Sequence, residues 1–339
     1  MDIFLPAFQS AVDLLEAEKP TVSLPTDWGW WVAIAVVIAF PIASAILGRT
    51  TRLGMIASAT FKEAVRQPLF LLLIALAVIV LVVNTYLPFF SLGEDVMMLK
   101  DCGLATLLVC GLLLAAWTAS TSIADEIEGK TAMTLLSKPI NRRQFIAGKY
   151  FGIMQAVYVL VAVGGIVFLA CIYYKVGYDA RESGETVPAV YELVEFGNSG
   201  RGYPVPEATR YAETVQVIPG LLLIFLEIAV LAAISVAIAT RLPMVVNLTT
   251  CFTVFVIGHL TPVIAKAEGT GRGFEIVRFV GGLIATIFPN SEAFSIQGAV
   301  ARSAMVPPGY VGEAAVYAIA FSLMMLLLAF ILFEDRDLA

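Results

Sequence analysis

The sequence is poor in charge. Only 14% of its 339 residues are Asp, Glu, Lys or Arg, where a soluble domain carries nearer about a quarter. At 59% hydrophobic residues and a mean hydropathy of +0.88, the chain has too little polar surface to cover itself in water. Lipid must be the solvent for much of it. Histidine is nearly missing as well, and the single His259 excludes a multi-histidine metal centre within one chain. The four cysteines, Cys102, Cys110, Cys171 and Cys251, lie in or beside apolar runs with no CxxC spacing. Neither a disulfide framework nor a zinc site follows. There is no strongly basic block, and the formal net charge of −6 argues against nucleic acid as a partner.

What the chain does have is long apolar runs. A bilayer needs roughly 20 residues per helix. Runs of that length lie at about 28–47, 69–87, 104–124, 151–174, 217–240, 245–265 and 312–333, which makes seven. An eighth run, Phe279 to Phe288, is too short to span and is stopped by Pro289, so it reads as a re-entrant or interfacial half-helix. The fold class expected is an all-α polytopic membrane protein. The first span is not expected to be a cleaved signal peptide, because 1–27 is acidic and a signal needs a basic start. Trp28, Trp30 and Trp31 suit an interfacial anchor.

Charge in the short loops predicts orientation. Segment 48–68 carries Arg49, Arg52, Lys62 and Arg66, and segment 125–149 carries Lys130, Lys138, Arg142, Arg143 and Lys149. Loop 88–103 has only Lys100, beside Glu94, Asp95 and Asp101. The positive-inside rule puts the first two in the cytoplasm. The N-terminal segment 1–27 then falls outside with the loops 175–216 and 266–311, and the tail 334–339 falls inside.

Two segments are specialised. In 52–68, Leu53, Ile56, Ala57, Thr60, Phe61, Ala64 and Val65 repeat at helical spacing, with Arg52, Lys62, Glu63 and Arg66 opposite. This predicts an amphipathic helix in the cytoplasmic interface, with an ordinary solvated linker as the alternative. Segment 175–216 contains "ETVPAVYELVEF", which suits strand; it is either a small outer cap or partly disordered.

Ala124 to Thr131, "ADEIEGKT", satisfies the loose pattern of a nucleotide phosphate loop. Such a loop follows a buried strand and opens a helix. Here a membrane span precedes it, and Asp125, Glu126 and Glu128 would repel a polyphosphate. No ATP site is therefore expected in this chain. Instead, Gly129 breaks the helix leaving the membrane, and Thr131 caps a short helix over 132–137 that Pro139 ends. Asn141 and Gln144 have capping-box spacing for the next helix. Met133, Leu135 and Leu136 then sit apolar on a loop too short for its own core. They either dock a partner or dip into the lipid interface.

These residues resemble the signature of ABC-2 type transporter permeases. The likeness runs through Glu128, Gly129, Thr131, Leu135, Leu136, Ser137, Pro139, Arg142, Gly148 and Lys149, with Lys130 standing between the Gly and the Thr. "FKEAVRQPLFLLL" is similar to the family's elbow helix entering its first core span. "IFPNSEAF" is similar to the region before its last span. The resemblance implies a permease domain over 48–333 with a six-span core, to which 28–47 adds an extra span. It further implies a subunit of an exporter in the bacterial cytoplasmic membrane, working as a homodimer or with a related permease. ATP and magnesium would then sit on a separate cytoplasmic ATPase that docks on 125–149, and this chain itself would be no enzyme. A membrane-bound enzyme with its site in the outer loops, and a docking protein without transport, are the alternatives.

Within the spans, Glu227 is the one carboxylate well inside. A charge at the bilayer centre costs about 2.5–3.5 kcal/mol on insertion scales. Glu227 is expected either to line a substrate or cation pathway or to be a protonated partner in a helix–helix hydrogen bond. His259 is a second pathway candidate, with a structural hydrogen bond as its alternative. Asn84 and Asn247, near span ends, are expected to satisfy backbone groups. Ala229, Ala233 and Ala237 form either a close-packing ridge or ordinary alanine-rich helix.

Overall fold

The computed structural model describes residues 40–44, 46, 48, 50–87, 95–124, 141–184, 186–195, 202–268, 288–295 and 306–334. The described chain is a helical bundle. Its elements are α1 (Arg52–Arg66), α2 (Pro68–Tyr86), α3 (Asp95–Ala119), α4 (Arg142–Glu182), β1 (Tyr191–Glu195), β2 (Gly202–Pro206), α5 (Ala208–Val215), α6 (Ile218–Ala239), α7 (Met244–Glu268) and α8 (Pro308–Glu334). Five described helical segments are long and apolar enough to cross a membrane, and Met244–Leu260 is a shorter apolar helix. This is a multi-pass membrane protein by length and composition. The outward faces of α2 and α8 agree, since Leu71, Ile79, Val316 and Ile319 are exposed large apolar residues that only lipid would solvate. Of the expected first span only its end is described. There Phe40 packs its ring 5.4 Å from that of Tyr158 and 5.6 Å from that of Phe225. The half-helix expected over 279–288 lies outside the described residues except for Phe288.

α6 is the central helix. It packs on α3, α4, α7 and α8, and Ala233 and Ala237 are buried against the chain's own neighbours. Two spans are longer than their apolar runs predict. α3 starts at Asp95 rather than near 104, and α4 runs on to Glu182 rather than stopping near 174. The polar extra turns are tolerated because their cations are neutralised. Lys100 pairs with Glu213, and Lys175 lies 3.6 Å from Asp95 and 2.8 Å from Asp179.

These contacts define the two ends of the bundle. At one end Lys100 and Lys175 meet α5 and the start of α3, capped by an antiparallel hairpin of β1 and β2 in which Tyr191 faces Pro206. The strand expected in "ETVPAVYELVEF" is β1. Glu207 accepts from the Arg210 N–H at 2.9 Å and so caps α5. Burial by itself would push the Glu207 carboxyl up, but hydrogen bonds from Arg210 and Thr209 outweigh it and hold the group below its ordinary value. Arg210 is itself buried. It donates to the Tyr173 carbonyl at 2.8 Å and the Pro188 carbonyl at 3.0 Å, so it ties the hairpin lead-in to α4.

The opposite end gathers α1, the start of α4, the end of α3 and the end of α8. Thr51 caps α1 by accepting from the Gly54 N–H at 3.0 Å. Gln67, extended because Pro68 follows, breaks the chain between α1 and α2. The charged residues of α1 are exposed, and its expected apolar face is covered, with Ala57, Thr60 and Ala64 buried. What covers that face is α4 rather than lipid alone. At Gly152 a Cβ would fall 2.6 Å from the Ala57 carbonyl oxygen and 2.6 Å from the Thr60 Cβ, and at Gly148 it would fall 2.8 Å from Ile56. Backbone approach this close requires glycine. A Gly152→Leu substitution is therefore expected to lift α1 off α4 and destabilise the chain by about 1–3 kcal/mol, read as a lowered midpoint of thermal unfolding in detergent. An unchanged midpoint would contradict this packing.

Candidate functional site

Two regions carry the candidate residues. The first is the loop end. Glu128, Gly129, Thr131, Met133, Leu135, Leu136, Ser137 and Pro139 lie outside the described residues, and Arg142 lies inside them. The two flanks of the loop are well defined. α3 ends in a π-helical turn, Ser120–Ala124. The Ser120 hydroxyl donates to the Ala116 carbonyl at 2.8 Å and the Thr121 hydroxyl to the Trp117 carbonyl at 3.1 Å. Hydroxyls that compete for helix carbonyls in this way loosen the ladder, and π turns recur where helices do work. Asn247 pins the turn from α7, donating to the Ser120 hydroxyl at 2.8 Å and the Ser235 hydroxyl at 2.9 Å. It also reaches the Ala116 carbonyl at 3.4 Å, the backbone role expected for it.

On the far flank, the Gln144 side chain accepts from the Asn141 N–H at 3.4 Å, as the capping-box spacing predicts. Arg142 is engaged with the C-terminal end of α8, donating to the carbonyls of Phe333 at 3.3 Å and Glu334 at 3.0 Å. A cation at a helix C-terminus is favourably placed. Phe145 stacks on Phe333, with ring centroids 5.7 Å apart. α4 therefore starts as a fixed post, braced by α1 on one side and α8 on the other.

The second region is buried. Glu227 enters the core from α6, about 13 Å along the helix from Ile218 at 1.5 Å per residue. His259 comes from α7, and its Nε2 stands 3.7 Å from the Glu227 Oε1. The structure thus brings the two pathway candidates together. Their side chains are 4% and 35% exposed, so the carboxyl is sealed and the imidazole reaches the surface. The Ser291 hydroxyl hydrogen-bonds the carboxyl from a short 3-10 turn, Ser291–Phe294. That turn fits into the bundle because α7 has glycine opposite it. A Cβ at Gly258 would lie 2.6 Å from the Ser291 Oγ and 2.9 Å from the Pro289 carbonyl oxygen. Tyr317 of α8 holds the turn by accepting from the Asn290 N–H at 3.0 Å, and Tyr310 does so by donating to the Ala293 carbonyl at 2.8 Å.

Sequence reasoning missed Ser291, although "PNSEAF" signals a capped turn after an apolar run. It also missed the buried cations Lys175 and Arg210, for which a lysine or arginine beside apolar residues gives no signal of its own. Asp95, Asp179 and Glu182 bring carboxylate oxygens within 4.8 Å of one another, a spacing that suits a cation. The Lys175 ammonium already lies among them, 2.8 Å from Asp179, and supplies that charge. No known protein family matches the chain, and no curated protein matches it.

Proposed function

We propose that this chain is the transmembrane subunit of an ABC-2 type exporter in a bacterial cytoplasmic membrane. It works as a dimer with a second copy or a related permease. ATP and magnesium are held by a separate cytoplasmic ATPase, and the chain catalyses nothing by itself. The observation that carries this reading is the sequence from Glu128 to Lys149, which predicts a capped short helix over 132–137 and carries the apolar residues Met133, Leu135 and Leu136. The fixed elements on either side of it are what a force-receiving loop requires. Closure of two ATPase subunits would press on the loop. The push would pass through α4 to α1, locked at Gly148 and Gly152, and through the π turn to α3 and α7.

In this reading α1 is the elbow helix at the inner interface, the end bearing Arg142 and Glu334 is cytoplasmic, and the hairpin end with 1–27 is outside. The core has six spans, and 28–47 is added to it. The test is reconstitution. The chain in lipid should bind a cytoplasmic ATPase and raise its turnover, and a chain that binds no nucleotide hydrolase at all would overturn the proposal.

A further inference from the structure

The contact between Glu227 and His259 is chemically incomplete as a pair of heavy atoms. The His259 Nδ1 lies 3.1 Å from the Phe255 carbonyl oxygen. A carbonyl can only accept, so Nδ1 carries a proton. In a neutral imidazole the other nitrogen is then bare. That bare Nε2 faces the Glu227 Oε1 at 3.7 Å, and Oε1 is buried with no hydrogen-bond partner among the described residues. Two acceptors facing each other, one of them sealed from water, are unfavourable. One added proton on either atom turns the contact into a donor and an acceptor.

We infer that Glu227 and His259 form an intramembrane proton-binding site. It holds one proton, on Oε1 or on Nε2, and the partly exposed imidazole is the group through which that proton exchanges. The ligand is the proton alone. Loading it converts carboxylate plus neutral imidazole into a pair of zero net charge. This goes beyond the exporter reading and does not depend on it.

The surroundings suit a single shared proton. Ser291 hydrogen-bonds the carboxyl from the 3-10 turn while Oε1 stays without a partner among the described residues, and Glu292 sits on the same turn. α4 contributes the Tyr150 hydroxyl, which donates to the Ala229 carbonyl at 3.2 Å, and α8 contributes Tyr317 on the turn. The charged residues of α3, α4 and α8 sit near the helix ends, among them Lys100 with Glu213, Lys175 with Asp179, and Lys149 with Glu63 at 3.9 Å.

His259 is the only histidine in the chain, so imidazole nitrogen NMR reads this site without overlap. The experiment uses the full untagged chain, labelled with nitrogen-15 histidine and held in lipid nanodiscs. At neutral pH the spectrum should show Nδ1 protonated and Nε2 in a hydrogen bond. The proton between the groups should be lost at a higher pH in the parent chain than in a chain that lacks the carboxylate. In Glu227→Gln the shared proton has no carboxylate to bind, so the imidazole should titrate in one step at least tenfold weaker in proton affinity. A bare Nδ1 with protonated Nε2 in the wild type would overturn the assignment, and that measurement decides alone if the variant fails to insert. Identical titrations in the two chains would overturn it equally.

Discussion

A chain carrying Leu135→Glu and Leu136→Glu is expected to insert normally and to bring down no ATPase. Burying one leucine side chain stabilises a contact by about 1.5–3 kcal/mol. Losing two, and forcing two carboxylates against an apolar socket, removes several kcal/mol from docking. At about 1.4 kcal/mol per tenfold, that is at least a thousandfold in affinity. The substitutions add charge to a loop already rich in it, so unfolding midpoints and expression should hold. Co-purification at matched detergent and salt is the measurement. An ATPase that binds the double variant as well as the parent would leave the leucines dipping into the lipid interface instead.

Lys175→Met is expected to cost the fold about 3 kcal/mol. Removing one partner of a buried ion pair strands the other charge, at about 3–5 kcal/mol. The lysine side chain is fully buried, while Asp95 and Asp179 keep some exposure at 15% and 21%, which puts the cost at the low end. Its ammonium also lies 5.2 Å from the centre of the Tyr178 ring. The loss falls on the hairpin end of the bundle, because Lys175 joins α4 to the start of α3. Denaturant unfolding in detergent measures it. Pairing Lys175→Met with Asp179→Asn should recover part of the loss, since the uncompensated carboxylate goes too. A cost of a few tenths of a kcal/mol for the single change would mean that water screens the group as it does surface pairs.

Much of this bundle is legible in its sequence. Helix positions follow from the bilayer's thickness, which fixes the length of an apolar run. The covered face of α1 follows from the i, i+3, i+7 spacing of Ala57, Thr60 and Ala64, and the start of α4 from Asn141 and Gln144. The helix ends do not follow, because Lys100 and Lys175 look like loop residues until their partners are known. One of those partners, Glu213, lies 113 positions away. The buried site was half legible. A carboxylate in a span must face something, and both Glu227 and His259 stand out by rarity. That they meet depends on the register between α6 and α7 and on a glycine at 258 that lets the Ser291 turn in. Neither is written in hydrophobic periodicity. The phosphate-loop likeness of "ADEIEGKT" is the converse case, a local pattern that the apolar run before it and the carboxylates of Asp125, Glu126 and Glu128 argue against.

The side of the membrane that 125–149 occupies is the most direct test of the exporter reading. A cysteine placed by Ser137→Cys, in the chain with its four native cysteines as background, can be probed with a membrane-impermeant thiol reagent. In intact cells the variant should label no more than the parent, and in permeabilised cells it should label strongly. Equal labelling of the new cysteine in intact and permeabilised cells would put the loop outside, where no ATPase can reach it.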